Sequence, residues 1–323
     1  MAAKGPDRTL ADYGTPDALW AAIDSRITQL VDADPRLNKS VLQRQFGYER
    51  FLARIFSVEG DWVLKGGTAL LCRTRSARHS RDIDLFRRQG EVSEAVAELA
   101  KLATTDLGDH FEFVAETSEI RDERPEHDGA RLATIKVAGY VGRRRKFEFT
   151  VDTVVGSVIT AEPEYRVPEP IVTIPGLESP SFRLYPIVDH VADKLCATFE
   201  RFGDRGASST RVRDLVDLVV IARTQSMEVS ALRCAIEAER AHRSLPPIAE
   251  YRTPPSWRTT YPKAGRGVVD CADYPRHEDA VELVGRFLDP VLSGELDSGV
   301  WLPDRLVWAA EPVTRRRDVR GAT

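Results

Sequence analysis

A chain of 323 residues, 42% hydrophobic and 30% charged, is long enough for two compact units and has the balance of a soluble globular protein. No run of about 18 apolar residues occurs, and Met1–Leu10 lacks an apolar signal core, so neither a membrane span nor secretion is expected. Cys72, Cys196, Cys234 and Cys271 lie far apart with no C-x-x-C pair, which argues against a zinc site or disulfide frame and for a reducing cytoplasm; the net charge of −4 does not mark a nucleic-acid binder.

Met1–Gly14 is polar. Thr15-Pro16 then reads as a cap followed by proline at the first helical position, and Leu19, Ile23, Ile27 and Leu30 keep helical spacing to about Val31. A second helix is expected over Lys39–Phe56. Trp62–Leu64 is a short apolar strand that ends at Gly66-Gly67, and Thr68–Cys72 opens a helix. After a basic loop, Asp82–Phe86 alternates with period two. Val92–Ala103 has amphipathic helical spacing, and Phe111–Thr117, Arg131–Tyr140 and Lys146–Val155 read as strands, the last two as a hairpin. Arg121–Gly129 is a charged loop.

Ser157–Pro180, rich in proline and glycine, reads as a connector with a short strand at Ile171–Ile174. Helices follow over Ile187–Phe199, Arg211–Ala222, Val229–Ala241 and Glu278–Leu292, with a flexible loop at Phe202–Thr210. In the first of these, Asp189, Asp193 and Lys194 fall off the apolar face. Leu245–Pro275, dense in proline and aromatic residues, is expected to be a long loop, functional or spread over the surface. Arg315-Arg316-Arg317 reads as a tail. The expected organisation is a helical segment 1–38, a core 39–160, a connector 161–180 and a mostly helical domain 181–323. The fold class is α/β (α+β), a mixed sheet flanked by helices.

The chemistry centres on D-I-D-L-F. Strand side chains alternate, so Asp82 and Asp84 share one face while Ile83 and Leu85 share the other. Two carboxylates on one face repel unless a metal or cation neutralises them. Gly66-Gly67 lets the backbone approach an anion closely. Asp152 sits on the polar side of a strand whose other side is Phe147, Phe149 and Val151; a solvent-facing aspartate is the bland reading. A glycine pair at a strand end, D-x-D on the next strand and a third aspartate on a later one are what two-metal phosphoryl or nucleotidyl transfer needs. Arginines cluster at 73–88 (Arg73, Arg75, Arg78, Arg81, Arg87, Arg88), at Arg143-Arg144-Arg145-Lys146, and at Arg201, Arg205, Arg211 and Arg213. Each alone reads as a solvated face; three flanking one site point to a polyanionic substrate.

The ordered set of apolar strand, G-G-T, helix, basic loop and D-I-D-L strand resembles the nucleotidyltransferase-fold superfamily. More narrowly, K-G-G-T-A-L-L followed by R-D-I-D-L-F resembles the AbiEii toxin family, which includes the mycobacterial MenT toxins. F-E-F-T-V-D-T-V, D-K-L and R-V-R-D-L-V-D-L support it. The resemblance covers about residues 40–225. It implies a nucleotidyltransferase fold, Mg²⁺ or Mn²⁺ as cofactor, an NTP as substrate, the 3′ end of tRNA as acceptor, translation arrest, and a cognate antitoxin as partner. It also implies that Asp82, Asp84 and Asp152 hold metal, that Lys65, Gly66, Gly67, Thr68, Ser80, Arg81 and Lys194 bind nucleotide, and that Asp82, Asp84, Lys194 and Asp214 are catalytic. Asp217 competes with Asp214 for the last role, but it also reads as a surface ion pair with Arg213, and Lys194 as a partner of Asp189 or Asp193. A small-molecule acceptor such as an antibiotic, or a protein hydroxyl, is the alternative.

Overall fold

A computed structural model of the chain describes residues 8–75, 77–121, 131–156, 158–202 and 206–310. Two helices come first. In α1 (Pro16–Ala33) the Thr15 hydroxyl accepts the Ala18 N–H, and Leu19, Ile23 and Ile27 are buried. In α2 (Lys39–Ile55) Asn38 caps the first turn by accepting the Val41 N–H.

The sheet is mixed and seven-stranded. Its strands are β1 (Trp62–Lys65), β2 (Asp82–Arg87), β3 (Phe111–Arg121), β4 (Arg131–Val141), β5 (Arg144–Val155), β6 (Glu164–Arg166) and β7 (Phe182–Leu184), in the order β3-β4-β5-β2-β1-β7-β6. β2 runs parallel to β5, and β1 parallel to β7; the other pairings are antiparallel. Between strands lie α3 (Gly66–Arg73) and α4 (Val92–Ala103). One face of the sheet packs on α1, α2 and α4 through a cluster that includes Phe46, Phe51, Ile83, Leu85, Phe113 and Phe149.

The second half is helical: α5 (Ile187–Phe199), α6 (Val212–Thr224), α7 (Val229–His242), α8 (Trp257–Ala264) and α9 (His277–Leu292). A two-residue ladder of β8 (Arg201–Phe202) and β9 (Ala207–Ser208) follows α5, and a hairpin of β10 (Val300–Leu302) and β11 (Val307–Ala309) ends the described chain. These helices share a second apolar cluster, which also takes in Leu70 of α3, whereas Ala69 of α3 belongs to the first. The helix that follows the glycine pair is thus clamped between the two cores, which fixes its N-terminus.

Several expectations need correction. Ile171–Ile174 is not a strand. Pro168, Pro170 and Pro175 punctuate that stretch, and Val172 and Ile174 are buried as an irregular segment against the first cluster. The strands of this region are β6 and β7, and both extend the sheet. Leu245–Pro275 is a packed cover rather than a display loop: Trp257 and Tyr261 are buried, the Trp257 indole donates to the Ser209 carbonyl at 2.8 Å, and the Tyr261 hydroxyl donates to the Tyr274 carbonyl at 3.1 Å. Of the charged loop Arg121–Gly129, Arg121 ends β3 and the rest lies outside the described residues, as do Arg205 within Phe202–Thr210, the Arg315–Arg317 tail and the start of Met1–Gly14.

Candidate active site

β2 and β5 place the three aspartates on one face of the sheet. Their parallel register sets Asp84 directly opposite Asp152, with Asp82 two residues back on the same face. Lys65, at the end of β1, pairs with Asp84 from the other side. Gly66 follows with a φ of +63°, and a Cβ there would lie 1.8 Å from Asp84 Oδ2. Only glycine allows this turn and this approach together. The carboxylate of Asp84 is therefore seated on the start of α3.

Hydroxyls orient the flanking carboxylates. Ser80 donates to Asp82 Oδ1 at 2.7 Å and Thr134 to Asp152 Oδ1 at 2.7 Å. The buried Thr68 hydroxyl donates to the Asp82 carbonyl at 3.1 Å, so that side chain ties α3 to β2. Ser80 is itself buried, its carbonyl accepting from Gln45 at 3.2 Å. Burial first, then the charges of Asp82 and Asp152, push Asp84 up to about 6; Arg211 and Lys194 pull the other way. An uncompensated carboxylate of this kind is what a cation would relieve. Among the described residues, no three His, Cys, Asp or Glu side chains already converge as a ready-made ion site. The register supplies the oxygen donors on one face, held on Ser80 and Thr134.

The helical half contributes a buried charge network. The Lys194 ammonium on α5 lies 2.5 Å from Asp217 and 3.3 Å from Asp214, both on α6. Arg78, from the loop before β2, grips Asp217 with two hydrogen bonds of 2.9 Å. Arg211 Nε donates to Asp214 at 2.7 Å. Burial opposes the Lys194 charge, but Asp217 and Asp214 outweigh it and hold the lysine above its ordinary value; Lys194 and Arg78 likewise hold Asp217 below its own, against burial. Asp217 is therefore not a surface partner of Arg213, and Lys194 pairs with neither Asp189 nor Asp193. Asp189 instead accepts the N–H and hydroxyl of Thr160, and Asp193 accepts from Arg243 at 2.6 Å.

The remaining expected groups are placed differently. The Lys65 ammonium lies 4.2 Å over the Tyr185 ring and, with Arg243, lowers Asp193 against its burial. Arg81 is exposed. The exposed Arg213 has its pKa lowered by burial of part of its side chain and by Arg78 and Arg81, with Asp82 acting in the opposite sense. Arg78 and Arg211 are the functional candidates that sequence reasoning passed over. They appeared only as members of arginine clusters, and their partners lie in other elements or on a buried helix face.

The basic clusters are mostly engaged. Arg73 is buried against Glu164 and donates to the Tyr185 carbonyl, Arg75 pairs with Glu169, and Arg87 with Glu98. The Arg143–Lys146 turn does not flank the site, since it opens β5 whereas Asp152 stands near its end, about 20 Å along the strand at ~3.3 Å per residue.

This mixed sheet, with D-x-D beside a glycine turn and a third aspartate across the ladder, defines a nucleotidyltransferase fold followed by a mostly helical region. A family model described as "Nucleotidyl transferase AbiEii toxin, Type IV TA system" matches residues 50–282, and the chain belongs to that family of transferases. Solved structures similar to it include MenT4, a nucleotidyltransferase toxin from Mycobacterium tuberculosis H37Rv (17% identity, 84% of this chain and 98% of that one, TM-score 0.47). JHP933 from Helicobacter pylori is another (17% identity, 81% and 95%, TM-score 0.45). Among curated protein sequences none matches. Among the described residues no helix is long and apolar enough to cross a membrane.

Proposed function

We propose that the chain transfers a nucleotide from an NTP to the 3′ end of tRNA in the cytoplasm, releasing pyrophosphate and stopping translation, under the control of a cognate antitoxin. The observation that carries the proposal is Asp84 facing Asp152 across β2 and β5, with Asp82 on the same face and Gly66 beneath it. Membership of a nucleotidyltransferase toxin family supports the reaction class.

The donor set is all carboxylate oxygen, which suits Mg²⁺ or Mn²⁺. Asp82, Asp84 and Asp152 would hold it. When bound, such an ion neutralises charge on the phosphates and lowers the pKa of an attacking hydroxyl. The chain's own part is positioning. The N–H groups at the start of α3, after Gly66 and Gly67, suit triphosphate oxygens. Lys194 and Arg211 set positive charge toward Asp84, and Asp214 and Asp217 orient the lysine. Arg81 and Arg213, exposed near Asp82, suit phosphates of the incoming RNA. Charge held in place before the substrate arrives needs no reorganisation at the moment of reaction.

The test is transfer of labelled NTP onto total tRNA. Asp82→Ala is expected to lower it by on the order of 10³-fold, the loss of several kcal/mol of charge stabilisation, and to relieve growth arrest on expression. Full activity in that variant would refute the proposal.

A further inference from the structure

A cavity of about 240 Å³ lies between α2, α3 and residues 168–171, with Gln45, Tyr48, Thr68 and His79 also in its lining. It is larger than the apolar cavity of about 150 Å³ that takes up benzene in another protein. Leu42, Leu52, Leu71 and Phe182 form much of its wall. Glu49 of α2 also lines it, and the mechanism above does not use that residue. Both Glu49 oxygens accept the single Ile171 N–H, at 3.1 and 3.3 Å. A carboxylate has about four acceptor positions, so one donor leaves this one short. Burial pushes Glu49 up to about 8, more than the nearby Arg50 and Arg75 can offset. Arg50 is committed to Asp109, at 2.8 Å. At the rim, Arg75 pairs with Glu169, and both side chains are about two-thirds exposed. An exposed pair of this kind is weak, and it leaves the entrance with little net charge.

We infer that this cavity is a binding site for a small amphipathic cation, an ammonium group on a compact apolar or aromatic body. The body takes the place of water against the leucines and Phe182, and the ammonium donates to Glu49. An anion is disfavoured by Glu49, and a neutral molecule of the same shape leaves its carboxylate short of donors.

The test uses the full chain and two probes of one shape, 2-phenylethylammonium and 2-phenylethanol, titrated by calorimetry or by NMR at about pH 9, above the value of about 8 for Glu49, so that its carboxylate is ionised, and below that of the amine. The readout is binding and does not depend on any transfer activity. The ammonium probe is expected to bind the unsubstituted chain at least tenfold more tightly than the alcohol. Glu49→Gln, which keeps an acceptor for the Ile171 N–H, should bring the two within about threefold. Leu71→Trp, which fills the cavity, should remove both. Absence of binding by the ammonium probe, equal binding of the two probes, a preference that survives Glu49→Gln, or binding that survives Leu71→Trp overturns the inference. If Leu71→Trp does not fold, the Glu49→Gln comparison decides alone.

Discussion

Asp109 is a buried carboxylate and Asp84 a half-buried one, and they are surrounded in opposite ways. Asp109, just before β3, meets Arg54 at 2.6 Å and Arg50 at 2.8 Å and also accepts the Phe111 N–H at 3.1 Å. Burial alone would raise it, but the Arg54 hydrogen bond and the two guanidinium charges hold it below the ordinary carboxylate range. Asp84 has Asp152 across the ladder and Asp82 two residues away, and is raised. The first site is complete as the chain folds and fastens α2 to the sheet. The second carries an electrostatic cost that folding leaves in place, and such a cost marks a position where a ligand of opposite charge completes the structure.

The largest effect that can break this comparison is Asp109→Ala. Two arginines would be left buried without their partner, which costs about 3–5 kcal/mol of stability in denaturant unfolding. A loss below 1 kcal/mol would mean that the cluster does not fasten the fold. Gly66→Ala acts at the other site. The added Cβ has no room beside Asp84, and alanine at φ +63° is strained by on the order of 1–3 kcal/mol. Nucleotide transfer should fall at least about 10²-fold, since it depends on the placement of Asp84.

The pH dependence separates the two acids by sign. Asp84 has a native value near 6 against an ordinary 3.8, so the folded state binds more protons between these values. Stability therefore falls as pH rises from about 4 to 6, and the penalty is fully present above 6. Asp84→Asn should then stabilise the metal-free protein at pH 7 by on the order of 1–2 kcal/mol, solvent screening at this partly exposed side chain taking some of the effect, and should change nothing below pH 4. Asp109 is depressed, so its contribution is present above its ordinary value and is lost as pH falls through the native one. Unfolding midpoints of wild type and Asp84→Asn across pH 3–8 would reveal both slopes; no gain from Asp84→Asn at pH 7 would contradict an uncompensated Asp84. The smallest effect is expected at the rim. Arg213→Ala should raise the KM for tRNA a few-fold and reduce the salt slope of binding by about 1, with little change in kcat.

What was legible in the sequence follows from periodicity. Asp82 and Asp84 alternate with Ile83 and Leu85, and Asp152 with Phe149 and Val151, so one face of each strand was readable before any pairing was known. The glycine turn was readable for the same local reason. Which strand lies beside which was not, and the register that sets Asp84 against Asp152 is a property of the sheet. The charged residues of α5 fall off its apolar face, and a buried ion network and a wet face have the same spacing; Lys194 and Asp189, and Asp217 on α6, differ from surface residues only through partners on other elements. The clusters of arginines misled for a related reason: most of Arg73–Arg88 is spent on internal ion pairs. In Leu245–Pro275 prolines suggested an open loop, whereas Trp257 and Tyr261 fill the second core.

The most direct measurement is sequencing of tRNA 3′ ends after incubation with each NTP and Mg²⁺. Wild type is predicted to add untemplated nucleotides, and Asp84→Asn, although at least as stable, to add none. Unaltered 3′ ends with wild type, or equal addition by Asp84→Asn, would contradict the account.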